Sequence, residues 1–436
     1  MRSISLIRFN ALAGYCRRPE NILFSEELGW FEETAERVLG VLFRDREDGD
    51  FGSVVLGRDR KGRFRAIHLG KFHPLAAQAE ADLSASMERL AAAPDEEYYQ
   101  GDERGSPVDF FLPLADRERL HRGFVKIAED EGFSPARGII EPMMRRYEDP
   151  DGNFVQQFQT DGFDARIWEL YLFAAFVEMG YSVDRSRSAP DFVCQGMPGT
   201  FCVEATTVGP TRDQSGSIVS PPALDTPEGI RAFRNEYMPI KYGSALRSKL
   251  LKRYWEREHV AGRPLVFAIH DFQAPMSMLM SRSALPLYLY GYDEDWEHDA
   301  AGNLHIHPRK VENHRWGDKV VPSGFFDLPD AENVSAVLFS NSGTISRFDR
   351  MGVLAGFGSP RVRLVREGFV LDHDPNATEP KRFRKLVRPP NLCRDLGGGS
   401  RGLPQPSGYP PTRPRRDARC ISPSPSPGRT YGEHRA

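Results

Sequence analysis

Between Ile167 and Val177 every residue is apolar or aromatic except Glu169. On a helical wheel Glu169 shares its stripe with Leu172, Phe173 and Phe176. A helix apolar nearly all round belongs inside a fold, and an unpartnered carboxylate there is costly. The segment therefore dictates both a buried helix and a partner for its acid: a metal ion, an arginine such as Arg166, or a lysine.

The next segments supply two more acids. In Phe201–Thr207 strand alternation puts Phe201, Val203 and Ala205 on one face and Cys202, Glu204 and Thr206 on the other. Ala189-Pro190-Asp191 precedes it, across the turn-rich Gln195-Gly196-Met197-Pro198-Gly199. An antiparallel pair with its turn here sets Asp191 opposite Glu204. Two carboxylates held together by a rigid sheet repel unless a cation neutralises them, and hard oxygen donors favour Mg²⁺ or Mn²⁺.

Glu169 on a first helix, Pro190-Asp191, Glu204-Ala205-Thr206 and the Gly180 turn together resemble the PD-(D/E)XK nuclease superfamily, the restriction-endonuclease-like fold. The resemblance runs over about 164–272, through a basic helix at about Pro239–His259 and a strand at Pro264–His270. It implies an α/β (α+β) core with a mixed central β-sheet flanked by helices. It also implies Mg²⁺-dependent hydrolysis of phosphodiester bonds in nucleic acid, DNA ahead of RNA, with Asp191, Glu204 and Glu169 as catalytic and metal-binding acids. The family carries a lysine two residues after the second acid, where this chain has Thr206. Threonine cannot supply the charge that positions water and steadies the developing phosphorane. Lys241, Lys249 and Lys252 are the candidates for a relocated lysine, and a solvated helix face is the ordinary alternative. With no replacement, the fold is an inactive module that binds nucleic acid or a protein.

The 436 residues allow two or three domains. A formal net charge of −3 advertises no global field for nucleic acid or membrane, so any phosphate-binding surface is local. Five cysteines without CxxC spacing argue against a disulfide framework or a cysteine-based zinc site. No signal peptide or bilayer-length apolar run is legible, and the expectation is a cytoplasmic protein without membrane partners.

Residues 1–147 read as an N-terminal β-rich and helical domain. Its strands fall at Val38–Arg44, Gly52–Leu56 and Phe64–Leu69, with helices at about 74–93, 114–131 and 134–147. Substrate selection or homodimer formation are its candidate roles. Residues 155–387 hold the core and its extension. Within the extension, 273–387 reads as strands separated by polar loops, and Leu285–Tyr290 as an apolar, aromatic run. His305 and His307 alternate on a strand near His314, a pattern that can bind zinc but more often marks hydrogen-bonded histidines. The strand Val334–Phe339 leads into a small-residue turn and then Arg347 and Arg350, which with Arg253 are candidates for nucleic-acid backbone contacts. From 389 to 436 the chain is rich in Pro, Gly, Ser and Arg, with eight arginines against three acids. That tail reads as disordered, either a weak nucleic-acid-binding arm or a non-native reading frame.

Overall fold

The computed structural model describes residues 1–103, 108–147, 149, 152–213, 215–274, 281–374 and 377–389. The Pro/Gly/Ser/Arg-rich tail, taken from 389, lies outside these residues except for Pro389 itself.

The chain opens with an antiparallel meander of β1 (Arg2–Ile4), β2 (Ser25–Glu32), β3 (Val38–Asp45), β4 (Phe51–Arg58) and β5 (Phe64–Leu69), in that spatial order. The last three match the periodicity. β1 and β2 do not announce themselves, because Arg2–Ile4 is too short to show alternation and Ser25–Glu32 carries three acids. The helix Ala76–Ala91 covers one face of this sheet with Leu83, Met87 and Leu90. The helix expected over 114–131 is shorter: Arg122–Glu129 follows a single 3₁₀ turn, and His121 caps it by accepting from the Gly123 amide.

The second sheet is mixed, and helices flank it. Its order is Ala336–Phe339, Leu265–Asp271, β8 (Gly199–Val208), β7 (Phe192–Gly196) and β6 (Ser182–Asp184). The first three strands run parallel; β8, β7 and β6 are antiparallel neighbours. Leu265–Asp271 lies at the centre of the parallel part, and Leu265, Phe267, Ala268 and Ile269 are wholly buried. A continuous apolar run rather than an alternating one is what a strand covered on both faces requires.

One face is covered by the acid-bearing helix Phe163–Glu178 together with helices Ser134–Arg146 and Ile345–Leu354. Trp168 anchors the acid-bearing helix, its indole N–H donating to the Ala268 carbonyl at 3.2 Å. That helix ends where Gly180, at φ +85°, turns the chain into β6. The other face is covered by the basic helix Met238–Leu250 and by helix Ala284–Tyr290. The alternation along β8 divides as read, Val203 and Ala205 to the first face and Cys202 and Val208 to the second.

Three local expectations are corrected. The basic helix stops at Leu250 instead of His259, because Arg253 takes a left-handed φ of +47°. Leu285–Tyr290 belongs to a helix, and Arg347 and Arg350 sit on helix Ile345–Leu354 rather than in an open loop. Its Thr344 cap, accepting from the Arg347 amide, was hidden among the small residues before it.

Candidate functional site

Asp191 immediately precedes the first ladder pair of the β7–β8 hairpin, Phe192–Val203, and Glu204 immediately follows Val203. The hairpin register therefore sets the two acids against each other, with Met197-Pro198 as its turn. The Ala205 amide donates to Asp191 Oδ2 at 2.7 Å, fixing that carboxylate beside Glu204. Burial raises the Asp191 carboxyl well above the usual carboxylate range, and the charges of Glu169 and Glu204 raise it further. The Ala205 amide and Lys249 pull the other way. Asp191 thus stands within electrostatic reach of both glutamates.

Glu204 is 4% exposed and Glu169 6%. Glu204 Oε1 accepts from Lys249 Nζ at 2.5 Å and from the Tyr254 hydroxyl at 2.6 Å. Its Oε2 is buried without a hydrogen-bond partner. Tyr254 reaches this oxygen because the left-handed Arg253 turns the chain back under the sheet after the basic helix ends. Burial, with the Glu204 charge beside it, raises the Tyr254 hydroxyl, so it stays a donor.

Glu169 is surrounded differently. Arg166 donates to its two oxygens at 2.8 and 2.7 Å, the Tyr147 hydroxyl to Oε2 at 2.6 Å, and Arg185 lies 3.5 Å from Oε2. The guanidinium of Arg185 also donates to the Asp191 carbonyl at 3.0 Å and stacks on Tyr147 at 3.6 Å. The arginine partner foreseen for Glu169 is the one the fold provides.

Of the three candidate lysines, Lys249 contacts the acids. Lys241 donates to Thr211 Oγ1 at 2.9 Å instead, and exposed Lys252 sits 6.0 Å over the Tyr254 ring. Arg253 is engaged by Glu256 and Asp330 at the surface. Arg347 lies near Glu178, and its helix packs on Ser134–Arg146, across the sheet from Lys249. These arginines are not gathered with the acids. His305 and His307 pair with Asp299 and Glu297 on an exposed hairpin, and His314 bonds the Asn235 carbonyl and Ser323.

The residues that sequence reasoning missed are Tyr147, Arg185 and Tyr254. Arg185 left a faint signal, a basic residue between two motif acids. Tyr147 and Tyr254 left none, since each is brought in by a chain reversal that periodicity does not encode.

On the basic-helix face, starting at Thr206 two residues along β8 from Glu204, opens a cleft of about 530 Å³. Its walls are the end of β8 with the following loop, the stripe Lys241, Ser244, Ala245 and Ser248 of the basic helix, and the hairpin residues Trp316 and Lys319.

Among the described residues, no group of three or more His, Cys, Asp or Glu side chains converges closely enough to hold a metal ion by itself. Mg²⁺ does not require one, because it commonly uses one or two carboxylates and keeps the rest of its shell as water and substrate phosphate oxygens. Asp191 and the bare Oε2 of Glu204 match that donor set. Comparison with protein-family models, with curated proteins and with solved structures found no match for this chain.

Proposed function

We propose that the protein hydrolyses phosphodiester bonds in nucleic acid with Mg²⁺ or Mn²⁺ held by Asp191 and Glu204. The observation that carries the reading is the Lys249–Glu204 contact, a cation delivered from the basic helix to the acid whose own strand offers Thr206 where the nuclease pattern has lysine. A buried carboxylate oxygen with no protein donor, next to a second carboxylate, favours a cation as its missing partner.

A bound metal ion would act as Lewis acid and lower the pKa of its water. The chain's own residues set the stage. Asp191 is oriented from both sides, its Oδ2 by the Ala205 amide and its carbonyl by Arg185. Tyr254 and Lys249 hold Oε1 of Glu204, and Oε2 is left without a protein donor. Lys249 supplies positive charge where the phosphoryl oxygens gather negative charge during attack. Glu169 is in this reading a positioning residue: it holds Arg185, and Arg185 holds Asp191.

The test is cleavage of labelled single- and double-stranded DNA and RNA with Mg²⁺ and with EDTA. Metal-dependent cleavage that falls to background in Asp191→Asn and Glu204→Gln is the expected result. Equal traces from wild type and both variants on every substrate would sink the proposal.

A second reading draws on the same contacts. Lys249 and Tyr254 already serve Glu204, and Arg166 already serves Glu169, so the fold neutralises much of its own acidity. That is what a binding module descended from a nuclease would show, and it predicts nucleic-acid binding indifferent to Mg²⁺.

A further inference from the structure

The cleft that starts at Thr206 is a concentration of positive charge without an acid in its lining. Lys241, Arg212 and Lys319 line it from three separate segments: the basic helix, the loop after β8 and the hairpin that ends in Lys319–Pro322. Lys241 spends its hydrogen bond on a neutral hydroxyl, Thr211 Oγ1; burial lowers the pKa of its ammonium, the charge of buried Asp271 works against that, and Lys319 adds repulsion. Arg212 donates to the Gly216 carbonyl, again a neutral acceptor. Three cations line the cleft while Asp271, a buried carboxylate, offsets part of the charge on Lys241, and the remaining excess of positive charge is relieved by an anion from outside.

The same cleft carries an aromatic wall. Trp316 is half-buried there, and Tyr237 props it edge-on with ring centres 5.3 Å apart. A held indole beside a cation cluster is the pairing that accepts a base on its face and a phosphate at its side. Thr206 joins the cleft to the acids: it lies on the same face of β8 as Glu204, two residues and roughly 7 Å along the strand.

We infer that this cleft binds one unpaired nucleotide of the substrate strand, its phosphate on Lys241, Arg212 and Lys319 and its base on Trp316, next to the phosphate presented to Asp191 and Glu204. The ligand class is single-stranded nucleic acid, because a base within a duplex is stacked on its neighbours and cannot reach the indole. The identity of the ligand rests on the phosphodiesterase reading; the cleft's chemistry does not.

The test uses the full chain as Asp191→Asn, so that binding is read without cleavage. Anisotropy of a labelled thymidine 10-mer is compared with the same sequence in duplex and with inorganic phosphate as competitor. Single strand should bind in preference to duplex. Trp316→Ala should weaken it roughly five- to a hundredfold. The exposed pair Arg212→Ala and Lys319→Ala, which should leave the melting temperature unchanged, should each lower the salt-dependence slope by about one. Unchanged binding in Trp316→Ala and in the Arg212/Lys319 variants, or preference for duplex, overturns the inference. Binding that behaves as expected in a protein that cleaves nothing would retain the cleft and discard the hydrolase, and cleavage with indifference to Trp316 would do the reverse.

Discussion

Two buried glutamates stand on opposite sides of one sheet, and the fold treats them differently. Glu169, on the helix side, has both oxygens occupied by Arg166, with Tyr147 and Arg185 beside them. Glu204, on the basic-helix side, has one oxygen held by Lys249 and Tyr254 and the other held by nothing from the protein. Burying a carboxylate demands compensation, and full compensation by arginine makes an ion pair whose business is structural. Partial compensation leaves a place for a ligand. The contrast separates a residue that sustains the site from one that works in it, although both are equally buried acids in the sequence pattern.

The largest expected effects fall on that contrast. Glu169→Gln leaves Arg166 and Arg185 facing a neutral amide and should cost about 3 kcal/mol or more of folding stability, as removal of one partner from a buried pair does. Glu204→Gln, losing one lysine contact but relieving a bare oxygen, should cost less, while removing cleavage altogether. Chemical denaturation of the two variants beside wild type decides it. A Glu204→Gln penalty as large as that of Glu169→Gln would erase the distinction.

Next in size is Lys249→Met. It strips Glu204 of its cation and should lower cleavage on the order of 10²-fold, the scale of one lost charge-stabilising group. The sharper readout is thermal. With Lys249 gone, Glu204 depends on an added ion, so Mg²⁺ should raise the melting temperature of Lys249→Met more than that of wild type. An equal or smaller shift would mean that Glu204 does not face the ion.

The tyrosines give a smaller matched pair. Tyr147→Phe and Tyr254→Phe each remove one hydroxyl donor to a buried glutamate, worth roughly 1.5–3 kcal/mol. Tyr147→Phe should register in stability with cleavage nearly intact, since Arg166 still holds Glu169. Tyr254→Phe should lower cleavage as well, by freeing the Glu204 carboxylate to rotate. Identical activity profiles would show that both hydroxyls are structural.

Much of the core was legible because its signals are local. The apolar run around Glu169, the alternation in Phe201–Thr207 and the turn at Met197-Pro198 fixed a helix, a hairpin and the opposition of Asp191 to Glu204 from short stretches of chain. The relocated lysine was narrowed to three positions but not chosen. Which of Lys241, Lys249 and Lys252 meets Glu204 depends on the rotation of a helix against a sheet, and every lysine on that helix has the same composition-level appearance. Tyr254 was invisible for a related reason: its approach depends on a left-handed residue at Arg253, a type that seldom adopts that conformation, so the helix was read nine residues too long. The meander's first two strands gave no alternation because Arg2–Ile4 is too short to show one and Ser25–Glu32 carries three acids, of which Glu32 is buried against Arg8 from the helix between the two strands.

The smallest expected effect is the most specific to Asp191. Its carboxyl is raised by burial, then by the neighbouring glutamates, above the roughly 3.9 it has in an unfolded chain. The folded state therefore binds a proton at Asp191 more tightly than the unfolded state. That contribution to stability is fully present below the unfolded value and is lost as pH rises through the raised folded value. In EDTA, wild type should therefore lose stability relative to Asp191→Asn as pH climbs from the ordinary carboxylate range, because the amide has no proton to lose. Denaturation midpoints of the two proteins at a series of pH values measure the difference. If the curves run parallel, Asp191 is compensated in the free protein as fully as Glu169 is, and the asymmetry between the two sides of the sheet would have to rest on Glu204 alone.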